Sequence, residues 1–348
     1  MWNSIYNRKA VVFCLLYMVL IIFNSNYTYV DAYFIHENDY AFSLFNNLRE
    51  YLITNSNFYS GDYRNFVNAL VLGINIDGQI REQMISIGIF HIFSLSGLHV
   101  GIVYFALDRL IVRNKPTLTK CVFISLVLIS YGVMTGLKVS MVRAIIMCVI
   151  SAFGRVFYRY SDTLNSLAIA SIFILLVNPY MLYSISFQLS FNIVFGIIVY
   201  SDLLNKIKGY NFKGDSKGVL SKFIDYVIIG ISAFLVSFPL NLYYFGASNI
   251  LSLFANLLVA FAIPLIFVFG FISLFIPFFL FIKITEFFIS YVFFISTFIE
   301  KHSIIIKSDN FDVVTAIVTL VLQGLSLYLV AYFSEMRVKR GIYEERRT

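Results

Sequence analysis

Cysteine, histidine and charge are all scarce in this chain, and each shortage closes off a class of chemistry. The three cysteines, Cys14, Cys121 and Cys148, fall inside apolar runs without paired spacing, so neither a disulfide framework nor a zinc site is indicated. Histidine occurs four times, as His36, His91, His99 and His302. No Gly-rich nucleotide-binding loop is present, so any work the chain takes part in draws its energy from another protein or a gradient. Charged residues make up only 13% of the 348 positions, which effectively excludes a water-soluble protein. The apolar/polar alternation of a transmembrane barrel is missing as well, which argues against a closed β-barrel.

What is abundant is apolar surface: 59% of residues are hydrophobic and the mean hydropathy is +0.82. The apolar runs recur from Val11 to Phe333 and reach the roughly 20 helical residues needed to cross a hydrocarbon core of about 30 Å. The expected fold class is therefore all-α, a polytopic transmembrane helical bundle. Spans are predicted over 87–107, 119–137, 142–157, 163–177, 184–203, 223–241, 251–282, 284–299 and 313–333. Arg8 and Lys9 precede a further run, read as an uncleaved anchor over 1–23, which brings the crossings to about ten. The polar stretch 24–83 is expected outside, with amphipathic helices resting on the outer face of the membrane. A membrane domain then covers 84–335 and a basic cytoplasmic tail 336–348.

The cations agree with this alternation. Arg109, Arg113, Lys115 and Lys120 fall on one side with Arg155 and Arg159, with the loop from Lys206 to Lys222, and with Arg337, Lys339 and Arg340. That side is inside, and both termini with it, by the positive-inside rule. The run 251–282 is too long for one helix and holds Pro264 and Pro277, which predicts a broken or re-entrant first half beginning near Asn249.

The most unusual stretch runs from Gly88 to Gly101, where His91, Ser94, Ser96, Gly97 and His99 interrupt an apolar span. Ionisable groups at that depth are costly and usually face a bundle interior or a wet route. Ser96 and His99 share a helix face, and a break at Ser96-Gly97 would turn His91 toward the same side. Gly97 and Gly101, four apart, permit close helix contact. A dry packing seam is the competing reading. Arg143 opens a later span and needs a carbonyl, a headgroup or a phosphate as its counterpart, or else it snorkels to the outer headgroups. Gln188 and Asn192 place two amides on one face, suited to bonding a neighbouring helix or a substrate. Asn178-Pro179 reads as a helix stop, and Asn256 beside Pro264 as exposed backbone along a path.

The string His91-Ile-Phe-Ser-Leu-Ser-Gly-Leu-His-Val resembles the signature of ComEC channel domains, bacterial proteins that pass single-stranded DNA across the inner membrane. The lead-in Ala69-Leu-Val-Leu-Gly73 with Gly88, the step Val142-Arg143-Ala144, the pair Asn178-Pro179 and the string Ser186-Phe-Gln-Leu-Ser-Phe191 resemble further family motifs in order. Ser186 stands where that family carries glycine. Phe238-Pro239, Tyr244-Phe245-Gly246, Asn256-Leu257-Leu258 and Pro264 resemble the closing segment.

The resemblance implies a channel component for uptake of single-stranded DNA in natural competence, in a bacterial inner (plasma) membrane, with no catalytic role, cofactor or metal. The substrate path would run past His91, Ser96, Gly97, His99, Arg143, Gln188, Asn192 and Asn256, with Gly73, Gly88, Gly101, Asn178, Pro179 and Pro264 shaping the backbone. The implied partners are single-stranded DNA, the lipid bilayer, and separately encoded receptor, motor ATPase and nuclease proteins; a homo-oligomer is compatible. Family members usually add an external oligonucleotide-binding domain and a metallo-β-lactamase-like nuclease, whose strand pattern and histidine cluster are not expected in this sequence. The alternatives are a small-molecule or ion transporter, a non-catalytic relic, and an intramembrane hydrolase using Ser96 with His99 or His91.

Overall fold

The computed structural model describes residues 40–76, 78–93, 97–111, 117–158, 162–211 and 219–307. The expected anchor over 1–23, the span over 313–333, the tail over 336–348 and Ser96 lie outside the described residues. The described residues are mainly helical, joined by short turns, with two three-residue strands. The chain forms α1 (Tyr40–Asn55), α2 (Gly61–Leu72), α3 (Gln79–Ser86), α4 (Gly97–Leu110), α5 (Leu118–Met134), α6 (Val139–Val156), α7 (Thr163–Val177) and α8 (Ile185–Asn211). Next come α9 (Val219–Phe245), β1 (Ala247–Asn249), α10 (Ser252–Phe275), α11 (Phe279–Lys301) and β2 (Ile305–Lys307).

Length and apolarity suit α6, α10, α11 and the Ser221–Phe245 part of α9 to crossing a membrane, and α5, α7 and Ile185–Ile198 are shorter apolar helices. The 24 residues of α10 give about 36 Å of helix at 1.5 Å per residue, more than a hydrocarbon core needs. Local chemistry sets several ends. Thr117 accepts the Lys120 N–H at 3.4 Å to start α5, and the Asp162 carboxylate accepts the Leu164 N–H at 3.0 Å to start α7. Asn178 ends α7 and caps the 3-10 turn Pro179–Tyr183, its side-chain oxygen accepting from the Tyr180 N–H at 3.0 Å. The helix stop expected there is where α7 ends.

The chain divides into two compact units. Among the described residues, the larger takes those up to Phe191 with Asn249–Ile305, the smaller those from Asn192 to Ser248. In the larger unit α10 and α11 form a hairpin closed by 276–278, and α2 and α4 pack on α10 while α6 lies against α4, α5 and α7. Its core runs through Phe66, Leu70, Met84, Val100, Ile124, Val259, Phe267 and Ile289, all at most 2% exposed. In the smaller unit Gly196 of α8 lies so close to Val236 of α9 that no β-carbon fits between them.

Three expectations are corrected. The run 251–282 is neither broken nor re-entrant in its first half: α10 continues unbroken through Pro264, and the chain turns only at Ile276-Pro277-Phe278 before α11. Lost backbone bonding at one proline is tolerated inside a long packed helix. The run 87–107 is not one span: a turn at Gly88 and a 3-10 turn, Phe90–Phe93, precede α4, which begins at Gly97. Finally, α2 does not rest on a surface with one face out. Every residue from Phe66 to Leu72 is buried, because the helix is inserted against α10, where Val67 and Val71 approach Gly270.

Candidate functional site

Arg143 stands five residues into α6 and is only 6% exposed. Its guanidinium does not snorkel to headgroups; it turns into the bundle, where Nη1 donates to both the carbonyl oxygen and the hydroxyl of Ser190 in α8. The same guanidinium carbon lies 5.8 Å from the Phe191 ring centroid, and Phe191 stacks on Phe187 at 4.2 Å. On the opposite side Nη2 stands 3.1 Å from where a β-carbon at Gly97 would sit, and the Ala144 methyl 3.3 Å from that point. Any larger residue at Gly97 would press on the guanidinium, so the glycine that opens α4 makes room for the arginine of α6.

The charge is incompletely answered. No carboxylate pairs with Arg143 among the described residues, and its buried Nε has no hydrogen-bond partner. Enclosing an ion without a counter-charge costs several kcal/mol, so such an arrangement persists where it serves something other than stability.

The other expected residues are placed as follows. His99, two positions into α4, is fully buried and meets Phe267 of α10 edge-on at 5.0 Å, with Tyr131 and Phe271 next to that ring. His91 is exposed on the 3-10 turn and hydrogen-bonded to the backbone of Gly88. His91 thus lies on the turn before α4 and His99 within α4 against α10, while Ser96 between them is outside the described residues. The Gln188 amide donates to the Leu182 carbonyl at 3.0 Å, fastening the preceding turn, and Asn192 is buried one helical turn on. Asn256 and Pro264 are half-buried in α10. Gly73 takes a left-handed φ of 70° to end α2. Gly101 meets nothing within 4 Å, so of the expected glycine pair only Gly97 serves a close approach.

Two arrangements escaped the sequence reading. Asp108, at the end of α4 and beyond the apolar run, pairs with Lys120 of α5 at 2.9 Å and Arg155 of α6 at 3.2 Å. Arg155 also donates to the Tyr104 hydroxyl. Burial pushes the Asp108 carboxyl up, but hydrogen bonds from Lys120 and Arg155 and their charges outweigh it and hold the carboxyl below the usual range. This knot gathers Lys120 and Arg155 at one end of the bundle. Elsewhere, the Asn249 amide donates to the Ser86 carbonyl at 3.1 Å while its oxygen accepts the Leu251 N–H at 2.9 Å, joining the start of α10 to the end of α3. Their signals, one acid among cations and one amide before an apolar run, are ordinary in sequence.

The family model described as Competence protein matches residues 70–334. ComE operon protein 3 of Bacillus subtilis (strain 168) is 29% identical over 221 residues, 61% of this chain and 26% of that protein, so the chain matches about a quarter of that relative's length. No solved structure matches the chain. The matched segment contains Gly97, Arg143, Gln188, Ser190 and the whole of the arrangement around them.

Proposed function

The chain belongs to the Competence protein family, and from that premise we propose that it forms part of the membrane path by which single-stranded DNA enters the cell. The observation that carries the reading is Arg143: a cation buried among helices, inside the family segment, with a serine and an aromatic stack around it and no carboxylate paired with it among the described residues. A polyanion moving through a low-dielectric bundle needs fixed positive charge to offset its desolvation, and cationic and aromatic side chains hold single strands without reading their sequence. Supporting it are the membrane-length helices and the match to ComE operon protein 3.

On this reading the chain is a non-catalytic, multi-pass protein of the bacterial inner membrane with about ten crossings and both termini cytoplasmic. It works with a separate DNA receptor, a motor ATPase and a nuclease. The strand passes near Gly97, Arg143 and Gln188. A transporter reading loses the broken helix that motivated it.

The test is genetic. Deleting the gene in a naturally transformable host should abolish uptake of labelled DNA, and restoring the chain should return it. Undiminished uptake in the deletion strain would reject the reading.

A further inference from the structure

Where the carboxyl ends of α4 and α6 meet the amino end of α5, two ion pairs share one carboxylate. Asp108 takes Lys120 at 2.9 Å and Arg155 at 3.2 Å. Lys120 is used up inside the knot: its side chain is only 9% exposed, and its ammonium also donates to the Asp108 main-chain carbonyl at 2.6 Å. Arg155 is different, because 46% of its side chain is exposed although both terminal nitrogens have partners. One carboxylate cannot neutralise two cations, so the knot presents a net positive charge through Arg155. Arg109, exposed in the last turn of α4, adds a second, while Asp162 at the same end is engaged in capping α7. The surface beside these cations is apolar, with Leu110, Leu118 and Phe157 all exposed. Tyr158 is 87% exposed and stands at φ +52°. That backbone is unfavourable for a tyrosine and marks the residue as a candidate for function. Cations at helix ends, exposed apolar side chains and an amphipathic ring together are the chemistry of a membrane's headgroup level.

We propose that this end of the bundle is a docking site for an anionic glycerophospholipid, whose phosphate meets Arg155 while its acyl chains cover the apolar side chains alongside. The inference needs only that the chain lies in a membrane, and it stands apart from the DNA-uptake reading. Each participant has its part. Tyr104 holds Arg155 in one orientation, its hydroxyl accepting from the guanidinium and its ring centroid 5.5 Å from the guanidinium carbon, so little side-chain freedom is lost on binding. Arg109 raises the local positive potential. Asp108 sets the strength of the site, because it competes with the lipid phosphate for Arg155. A lipid fits better than a nucleic acid, since a strand's solvated backbone would leave the neighbouring apolar surface uncovered. Arg109 and Arg155 also lie in the last turns of α4 and α6, where cations favour the helix dipole in any bilayer. An anionic lipid adds a dependence on headgroup charge that the dipole does not.

The experiment places the full chain in nanodiscs of phosphatidylcholine with a graded fraction of phosphatidylglycerol, and native mass spectrometry of the released protein gives the affinity for each retained lipid. The parent is expected to hold phosphatidylglycerol more tightly than phosphatidylcholine. Arg155→Gln should weaken phosphatidylglycerol about fivefold, the effect of one surface cation on an anionic headgroup, and leave phosphatidylcholine unchanged. Asp108→Asn should act in the opposite direction and tighten phosphatidylglycerol, whereas a purely structural knot makes both substitutions act alike. Arg109→Gln, which leaves the knot whole, should weaken phosphatidylglycerol as well and keeps the test open if Arg155→Gln fails to fold, which thermal unfolding in phosphatidylcholine shows. Equal affinity of the parent for the two lipids overturns the site, and so does an Arg155→Gln or Asp108→Asn affinity equal to that of the parent. Displacement of phosphatidylglycerol by soluble glycerophosphate at matched ionic strength would mean that the acyl chains contribute nothing, which overturns a lipid site in favour of a free phosphate. Displacement by a short oligothymidylate, lost in Arg155→Gln, would assign the patch to nucleic acid and overturn it too.

Discussion

Gly88 and Ser252 are in such close contact that a β-carbon on the glycine would stand 2.7 Å from the serine β-carbon. Gly88 also holds a φ of +76°, where side chains are disfavoured. Together with the Asn249–Ser86 bond, this contact fixes the turn after α3 onto the first residue of α10. Gly88→Ala is expected to cost about 1–2 kcal/mol from the left-handed backbone alone, with a further cost from the clash. Adding Ser252→Gly should recover the second part and leave the first. Thermal unfolding of the parent, both single variants and the double variant in detergent measures both.

Tyr131 of α5 closes the end of α2. Its hydroxyl donates to the Val71 carbonyl at 2.9 Å, one of the last-turn acceptors without a partner inside the helix, in a place where the tyrosine is 6% exposed. Tyr131→Phe leaves that oxygen buried and unsatisfied, and about 1–3 kcal/mol of stability should be lost. Equal unfolding temperatures for the two proteins would show that the bond contributes nothing.

The knot at Asp108 makes a prediction about acid. Its carboxyl has a lower pKa folded than the 3.8 of an unperturbed aspartate, so its contribution is fully present above about pH 3.8 and is lost as pH falls through the lower folded value. Asp108→Asn should therefore lower stability at neutral pH, by about 1 kcal/mol for a partly exposed pair, and flatten this acid-induced loss. Unfolding curves at pH 7 and in acid, with and without the substitution, check both statements. The variant should leave the Arg143 junction intact.

Helix positions were legible where an apolar run is bounded by chemistry that stops a helix. The run 163–177 became α7 without shift because Asp162 caps one end and Asn178-Pro179 closes the other. The run 87–107 misled because apolar residues fit a lipid-facing helix and a tightly turned buried segment alike, and only the backbone angle at Gly88 separates the two. The burial of α2 was hidden for a related reason: an apolar stripe announces a face to be covered but not whether lipid or α10 covers it. At the site, Arg143 announced itself as a charge in an apolar run. Its partners did not, since Ser190 is 47 residues away and Gly97 matters through the side chain it lacks.

A DNA path requires water and anions to reach the region between α4, α6 and the start of α8. The most direct measurement is cysteine accessibility with a charged, membrane-impermeant methanethiosulfonate, after replacing Cys14, Cys121 and Cys148 by alanine. Ala144→Cys and Ser190→Cys should react, and single-stranded DNA should slow both, whereas Phe294→Cys on the outer face of α11, where the native ring is 68% exposed, should stay unlabelled in a bilayer. Positions 144 and 190 as unreactive as 294 would mean that Arg143 sits in a dry seam, contradicting the path.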